Sequence, residues 1–344
     1  MNSRAVVLSA FAFLSLCLCL GCARDPLRPY PGEPTPPFRP SVDDSPAWSP
    51  DGRSIAYHRR FASADGPPGL YIIGAEGGTP HFLALGDFGS PTYLRFSPDS
   101  RSLSCVQGIQ LLVVDVQTGS SFQPLYTNRG VAQPDWSPGG RSIAYRRLIS
   151  SGDDPPESLG LHILDLVTGL DRPVLHGGQA IFGSYPVWSH DGQHIAIGEG
   201  VSGGPYHISL LSVDGVTLRP LVDAAAGYGL GLLRRYTFRA LGVDGLVFGG
   251  VTSSGTGPSF MNWDGSGLQQ MPPTYHDFDA YSPDGSYAVG PRFSPHDSLE
   301  VLFIFKTDDV TGTTYRQLTS YRPPQEAPTA ALSPWRSLGF QRSW

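Results

Sequence analysis

A few groups of side chains have the types and spacing for chemistry. His190 and His194 stand within one short phrase, close enough for two imidazoles to share a metal ion. No third ligand lies nearby, and His190 takes the place of a turn proline, so the phrase reads first as a turn. Gly200-Val201-Ser202-Gly203-Gly204 has the Gly-x-Ser-x-Gly pattern. In an α/β-hydrolase that serine needs a strand-to-helix elbow and a later Asp and His. Here the pattern falls between two strand-like runs and reads as a loop. Ser151-Gly152-Asp153-Asp154-Pro155-Pro156-Glu157 offers oxygens to Ca²⁺, which takes six to eight of them; a solvated loop is the more economical reading. Asp308-Asp309-Val310-Thr311-Gly312 reads as a turn. Trp48, Phe96, Trp136, Trp188 and Tyr281 have the rings to stack on sugars. They recur at one position of a repeated phrase, which assigns them to packing between repeats. The expectation is therefore no catalytic residue, no metal and no cofactor.

One residue carries a definite chemical expectation: Cys22, as a lipidation site. Met1 to Arg4 carries one positive charge, Ala5 to Leu20 has no charge, and Gly21-Cys22 follows. A basic start, an apolar run and a small residue at its end make an export signal. Leu18-Cys19-Leu20-Gly21-Cys22 resembles a bacterial lipobox, in which the cysteine is diacylated and becomes the new N-terminus. Cys19 departs from the usual leucine. An ordinary cleaved signal and an uncleaved anchor are the competing readings, and the apolar run is short for a span of about 20 residues. Loss of residues 1–21 would remove Cys17, Cys19 and Arg4, taking the net charge from −6 to −7. Only Cys105 would remain in the body, which excludes an intramolecular disulfide and a thiolate zinc cluster. Ala23, rather than Asp, follows the cysteine, which favours the outer membrane.

Composition says what must position any site. Gly and Pro supply 42 and 33 of 344 residues, charged residues only 16 % and hydrophobic residues 40 %. That excludes helical bundles and chain-wide disorder and fits many short strands joined by tight turns. The net charge of −6 argues against nucleic acid as a partner. Lys306 is the only lysine; arginine supplies the remaining 23 of the 24 basic residues, which reads as codon bias. Residues 22–44 are Pro-rich and read as an extended tether.

From residue 45 onward one phrase recurs. It reads Trp48-Ser49-Pro50-Asp51-Gly52-Arg53-Ser54-Ile55-Ala56-Tyr57, and returns at Phe96–Leu103, Trp136–Tyr145, Trp188–Ala196, Tyr281–Val289 and, shortened, Leu332–Phe340. The serines are 48, 40, 52, 93 and 51 residues apart. The long gap predicts a worn copy in its middle, and Phe238 with Val243 to Phe248 fits. Seven copies at a period of about 40–50 match propeller blades. In each phrase an aromatic ends one strand, Pro fixes φ, Asp bonds its own backbone, Gly takes positive φ, and Ile-Ala-Tyr starts the next strand. A second hairpin follows, as in Leu111–Gly119, Leu161–Gly169 and Ile208–Gly215. Two hairpins make one four-stranded antiparallel blade.

The Trp-Ser-Pro-Asp-Gly-x-x-Ile-Ala-Tyr phrase, with a following strand that ends near Asp, resembles the TolB-type β-propeller repeat. The resemblance covers about residues 45–344. It implies an all-β ring of six or seven blades; the count here leans to seven, with six as the alternative. The family's best-known member works in the Tol–Pal envelope system and carries an extra N-terminal α/β domain, for which this sequence shows no counterpart. Some TolB-like propellers are polysaccharide lyases with a histidine-bound metal near the channel; no spaced His set here matches theirs. Similar propellers cap prolyl-oligopeptidase-type enzymes, and no residues remain here for the hydrolase domain. The resulting expectation is a signal over 1–21, a tether over 22–44 and a propeller over 45–344. Its function would be that of a monomeric, non-enzymatic, lipid-anchored scaffold binding envelope proteins or cell-wall glycans. The alternative is a polysaccharide-active lyase or hydrolase with its site at the channel mouth.

Overall fold

The computed structural model describes residues 43–60, 66–84, 92–126, 130–148, 160–200, 206–223, 230–238, 243–252, 255–256, 259–270, 280–293, 300–307 and 315–320. The chain divides into Met1–Arg39 and a body, Pro40–Trp344. The described body is all strand and turn.

Each repeat folds as a meander. Sheet I holds β1 (Asp43–Trp48), β2 (Ser54–Arg59), β3 (Gly69–Gly74) and β4 (His81–Ala84). Sheet II holds β5 (Thr92–Phe96), β6 (Ser102–Gln107), β7 (Gln110–Asp115) and β8 (Ser121–Phe122). Sheet III holds β9 (Val131–Trp136), β10 (Ser142–Arg147), β11 (Gly160–Asp165) and β12 (Asp171–Pro173), followed by a small hairpin of β13 (Leu175–His176) and β14 (Gln179–Ala180). Sheet IV holds β15 (Ser184–Trp188), β16 (His194–Gly200), β17 (Tyr206–Ser212) and β18 (Leu218–Asp223). Sheet V holds β19 (Leu230–Phe238), β20 (Val243–Thr252), β22 (Ser259–Asn262) and β23 (Gln269–Gln270), with β21 (Gly255–Thr256) paired to the end of β20. Sheet VI holds β24 (Ala280–Tyr281), β25 (Tyr287–Phe293), β26 (Glu300–Lys306) and β27 (Tyr315–Gln317). The worn copy inferred from the long serine gap is the β19–β20 hairpin, with Phe238 opposite Val243.

Successive side chains on a strand point to opposite faces, and here both faces are buried. On β2, Ile55 and Tyr57 enter a core shared with Val289, Leu302 and Ile304 of sheet VI. Ala56 between them enters a core shared with Leu94, Leu103 and Val114 of sheet II. Further cores join II to III, III to IV and IV to V. The phrase's isoleucines Ile55, Ile143 and Ile195 are all 0 % exposed. Burial of each stabilises by about 2–3 kcal/mol. The aromatics also fall inside: Phe96, Trp136, Trp188 and Tyr281 are buried and Trp48 packs half-buried on the I–VI core. Two-sided burial explains the low charge content.

Five four-stranded sheets and the five-stranded sheet V lie within the described residues, and the copy at 332–340 lies outside them. Sheet I has neighbours on both faces, II on one and VI on the other.

The two ends of the sheets differ. The β1–β2 and β3–β4 type connections lie at one end and are tight. Neighbouring phrases touch there: a Cβ placed on Gly52, Gly140 or Gly192 would lie 3.7–3.8 Å from Pro283, Pro98 or Pro138. The other end carries the β2–β3 type connections and the links between sheets. These include the longer ones, at residues 60–68, 148–159, 201–205 and 294–299. We call the two ends the turn end and the loop end.

Candidate functional site

Inner strands reach the loop end through a bulge. Ser45, Tyr93, Gln133 and Tyr185 have φ of 51°, 57°, 56° and 52°. Each stands three residues before the phrase aromatic, and the strand register slips there in all four sheets. Left-handed backbone at non-glycine residues costs about 1 kcal/mol or more and often marks function. Its recurrence in four repeats assigns it to seam building instead. Gln133 Oε1 accepts from Tyr185 N at 2.9 Å, and Asp135 Oδ2 accepts from Trp188 N at 2.9 Å, both across the III–IV seam.

Beyond the bulge, at the loop end of sheet I, charge concentrates. The register places Asp43 opposite Arg59 and Asp44 opposite His58. Arg59 donates from Nε to Asp43 Oδ1 at 2.8 Å and from Nη2 to Asp43 Oδ2 at 3.1 Å. Both side chains are 0 % exposed. The guanidinium lies 5.0 Å from the Tyr71 ring centroid and 5.7 Å from that of Tyr57. It also donates to Ser320 O at 3.3 Å, and Thr319 bonds the Asp43 carboxylate. The pair therefore ties sheet I to the strand end of sheet VI. Burial pushes the Asp43 carboxyl up, against the opposing pull of Arg59. Burial alone would lower Arg59, but the hydrogen bond and charge of Asp43 hold its guanidinium above the usual range.

The second half of this cluster faces sheet II. His58 Nδ1 lies 3.3 Å from Asp44 Oδ1, and Arg60, half exposed, bonds Asp44 Oδ2. Burial raises the Asp44 carboxyl, but the bond from His58 and the charge of Arg60 bring it below its usual value.

Sheet III repeats the theme. Arg147 occupies the phrase position of Arg59. It bonds Asp171 and donates to Tyr145 Oη at 3.0 Å. Tyr145 donates to Asp171 Oδ1 at 2.9 Å, and His162 Nδ1 lies 3.2 Å from the same oxygen. Burial, then the Asp171 charge, pushes the Tyr145 hydroxyl upward. Burial works the other way on Asp171, but His162 and Arg147 hold its carboxyl below the usual range. These two clusters extend the phrase from Ile-Ala-Tyr to Tyr-x-Arg, in 57–59 and 145–147. That extension was the available sequence signal, and the reading of the phrase stopped one step short of it.

The groups singled out from sequence are dispersed. Cys22 lies outside the described residues, as do 151–157 and 308–312. Cys105 is buried on β6, and burial pushes its thiol up to about 12. His194 Nδ1 stands 3.8 Å from Asp191 Oδ2 on the turn end. No group of three or more His, Cys, Asp or Glu with metal-holding geometry occurs among the described residues. Gly200 ends β16 and pairs with Tyr206 of β17, so Ser202 falls between two paired strands; residues 201–205 lie outside the described set. No described helix is long and apolar enough to cross a membrane.

Four-stranded meanders packed face to face around a repeated turn define the β-propeller class. Solved structures agree. A structure assigned as a TolB from Agrobacterium tumefaciens matches at 20 % identity and a TM-score of 0.51, covering 72 % of this chain and 88 % of that one. TolB from Acinetobacter baumannii matches at 16 % identity and a TM-score of 0.54, covering 81 % and 63 %. An oligogalacturonate lyase in complex with manganese matches at 18 % identity and a TM-score of 0.51, covering 79 % and 75 %. The chain has a TolB-like β-propeller fold. Among curated proteins, dipeptidyl-peptidase 5 of Porphyromonas gingivalis is 30 % identical over 136 residues, which is 35 % of this chain and 18 % of that protein. The match thus spans less than a fifth of the peptidase. No protein-family profile matches the sequence.

Proposed function

We propose that the chain is an exported, lipid-anchored, six-bladed propeller that binds envelope partners and has no catalytic role. The observation that carries this reading is how the polar groups of the loop end are used. Among the described residues, Asp43–Arg59 and Asp44–His58 are convergent charged sets there and are buried, while the half-buried Arg147–Asp171–His162 set lies within sheet III; in each the charges are paired with one another. Groups held so tightly by each other build the scaffold and do not wait for substrate. Long connections at the same end supply variable surface on a rigid frame. The core shared by sheets I and VI supports six blades. The apolar run ending in Gly21-Cys22 supports export and a lipid anchor, and the Pro-rich 22–44 supports a spacer between lipid and ring. Gentle crosslinking in cell envelopes, followed by affinity recovery of the acylated protein, tests the scaffold role. Recovery of a saturable protein or glycan partner is expected; a protein recovered alone at every crosslinker dose contradicts it.

The alternative reading is a polysaccharide-active site at the channel mouth. It has the Asp44–His58 pair and the exposed Arg60 in its favour. Release of unsaturated or reducing ends from oligogalacturonate, lost in His58→Gln, would support it over the scaffold.

A further inference from the structure

The seam between sheets VI and I is built like the seam between III and IV. On β27, Arg316 donates from Nη2 to Ala75 O at 2.8 Å and from Nη1 to Glu76 O at 2.6 Å. On β12, Arg172 donates from Nη2 to Val213 O at 3.4 Å, and on β18, Arg219 donates from Nη1 to Asp264 O at 3.2 Å. Each arginine stands in the last strand of one sheet and holds the outer turn of its neighbour. Two residues beyond Arg172 and Arg316, Val174 and Leu318 are buried, and their N–H groups donate to Leu161 O at 2.9 Å and Leu302 O at 2.8 Å. Sheet I therefore takes the seat beside sheet VI that sheet IV takes beside sheet III.

The chain that leaves sheet VI carries a phrase of its own with the spacing for that seat. In sheet IV the phrase starts at Trp188, 14 residues after Val174; the copy outside the described residues starts at Leu332, 14 residues after Leu318. Ser337-Leu338-Gly339-Phe340-Gln341-Arg342 aligns with Ser54-Ile55-Ala56-Tyr57-His58-Arg59 of β2. Large apolar residues fall at the positions of Ile55 and Tyr57, glycine at that of Ala56, and arginine at that of Arg59. In β2, Ile55 and Tyr57 share a core with Val289, Leu302 and Ile304 of sheet VI, and Ala56 faces sheet II. The copy thus has the residue types that this seat selects.

We propose that residues 332–342 compete with Trp48–Arg59 for the seat beside sheet VI, and that the chain exchanges one copy for the other. The resident copy has the stronger turn. Asp51 Oδ1 accepts from Ser49 Oγ at 2.6 Å and from Arg53 N at 3.0 Å, and Gly52 takes φ of 76°. The competing copy reads Ser333-Pro334-Trp335-Arg336 and has neither the aspartate nor the glycine. Arg59 also keeps its buried bonds to Asp43. The exchanged form is therefore the minor one. Forming it breaks the bonds of Arg59 to Ser320 O and of Arg316 to Ala75 O and Glu76 O. Any ligand of the released β1–β2 hairpin shifts the balance toward it. The exchange does not depend on what the propeller binds.

The test uses the full chain with the photo-crosslinking residue benzoylphenylalanine in place of Phe340, and maps the products by mass. Crosslinks to β25 or β26 in a minor fraction of chains are expected. Ile55→Ala weakens the resident copy and should raise that yield at least about threefold, whereas Leu338→Ser should abolish it. Hydrogen exchange gives a second reading without the probe. Leu338→Ser with Phe340→Ser should slow exchange of the β2 amides at least about threefold and leave those of β16 unchanged. Crosslinks that never reach sheet VI, or β2 exchange that ignores these variants, would overturn the proposal and leave the six-blade reading standing. Near-complete crosslinking to sheet VI, unmoved by Ile55→Ala, would seat residues 332–342 there permanently and overturn both. Mixing light and heavy chains identifies products formed between molecules; if these account for every sheet VI crosslink, exchange within one chain is overturned.

Discussion

Asp43 and Arg59 are the most consequential residues outside the apolar cores. A charge pair at 0 % exposure is stable only while both members are present. Asp43→Asn or Arg59→Met should therefore cost about 3–5 kcal/mol by denaturant unfolding, because each leaves one buried charge alone. The double variant should recover part of that loss, and a double-mutant cycle would read the coupling directly. Cys105 gives a second residue-scale expectation. Its thiol, pushed to about 12 by burial, should ignore thiol reagents at pH 8 until the protein unfolds. Comparison of wild type with Cys105→Ala isolates its signal from the cysteines near the N-terminus. The sequence showed Cys105 as a lone body cysteine, but not its burial. It gave no sign that Asp43 and Arg59 meet, since a pairing 16 residues apart depends on the register across a bulge.

At the scale of the element, the hairpin turn was the most legible feature. Ser, Pro, Asp and Gly each have one physical task in it, and the structure uses each for that task. Its aspartates also predict acid sensitivity. The serine hydroxyl and a backbone N–H lower the carboxyls of Asp99 and Asp191. In the outer turns the Thr168 backbone N–H and then the Arg141 side chain bring Asp165 to about 2. A carboxyl lowered on folding stabilises the protein above its unfolded value near 4, and that contribution is lost as pH falls through the folded value. Unfolding free energy should therefore drop between about pH 4 and pH 2, and Asp99→Asn together with Asp191→Asn should flatten the drop. The bulges at Ser45, Tyr93, Gln133 and Tyr185 were not legible. Three of these residues precede a proline, which disfavours helical backbone, so local sequence argued against the conformation adopted. Packing across the seam overrides it, as the Gln133 bond to Tyr185 N shows.

The whole molecule is a set of sheets that share cores pairwise. The repeat spacing announced that arrangement, down to the worn copy in sheet V. It could not announce that sheets I and VI share a core, because contact between residues near 55 and near 302 has no local signature. That shared core yields a test. Leu302→Ala in β26 removes a fully buried side chain from the core it shares with Ile55 and Tyr57. It should cost about 2–5 kcal/mol and speed amide exchange in β2 as much as in β26. Exchange that rises in sheet VI alone would show that the two sheets do not depend on each other.

The proposed function rests on an anchor at Cys22, so that residue carries the central claim. Metabolic labelling with a clickable fatty acid, on wild type and Cys22→Ala, reads it directly, with membrane fractionation of both. The account predicts a labelled, membrane-bound wild type and an unlabelled variant that leaves the membrane fraction. Labelling and fractionation unchanged in Cys22→Ala would contradict it.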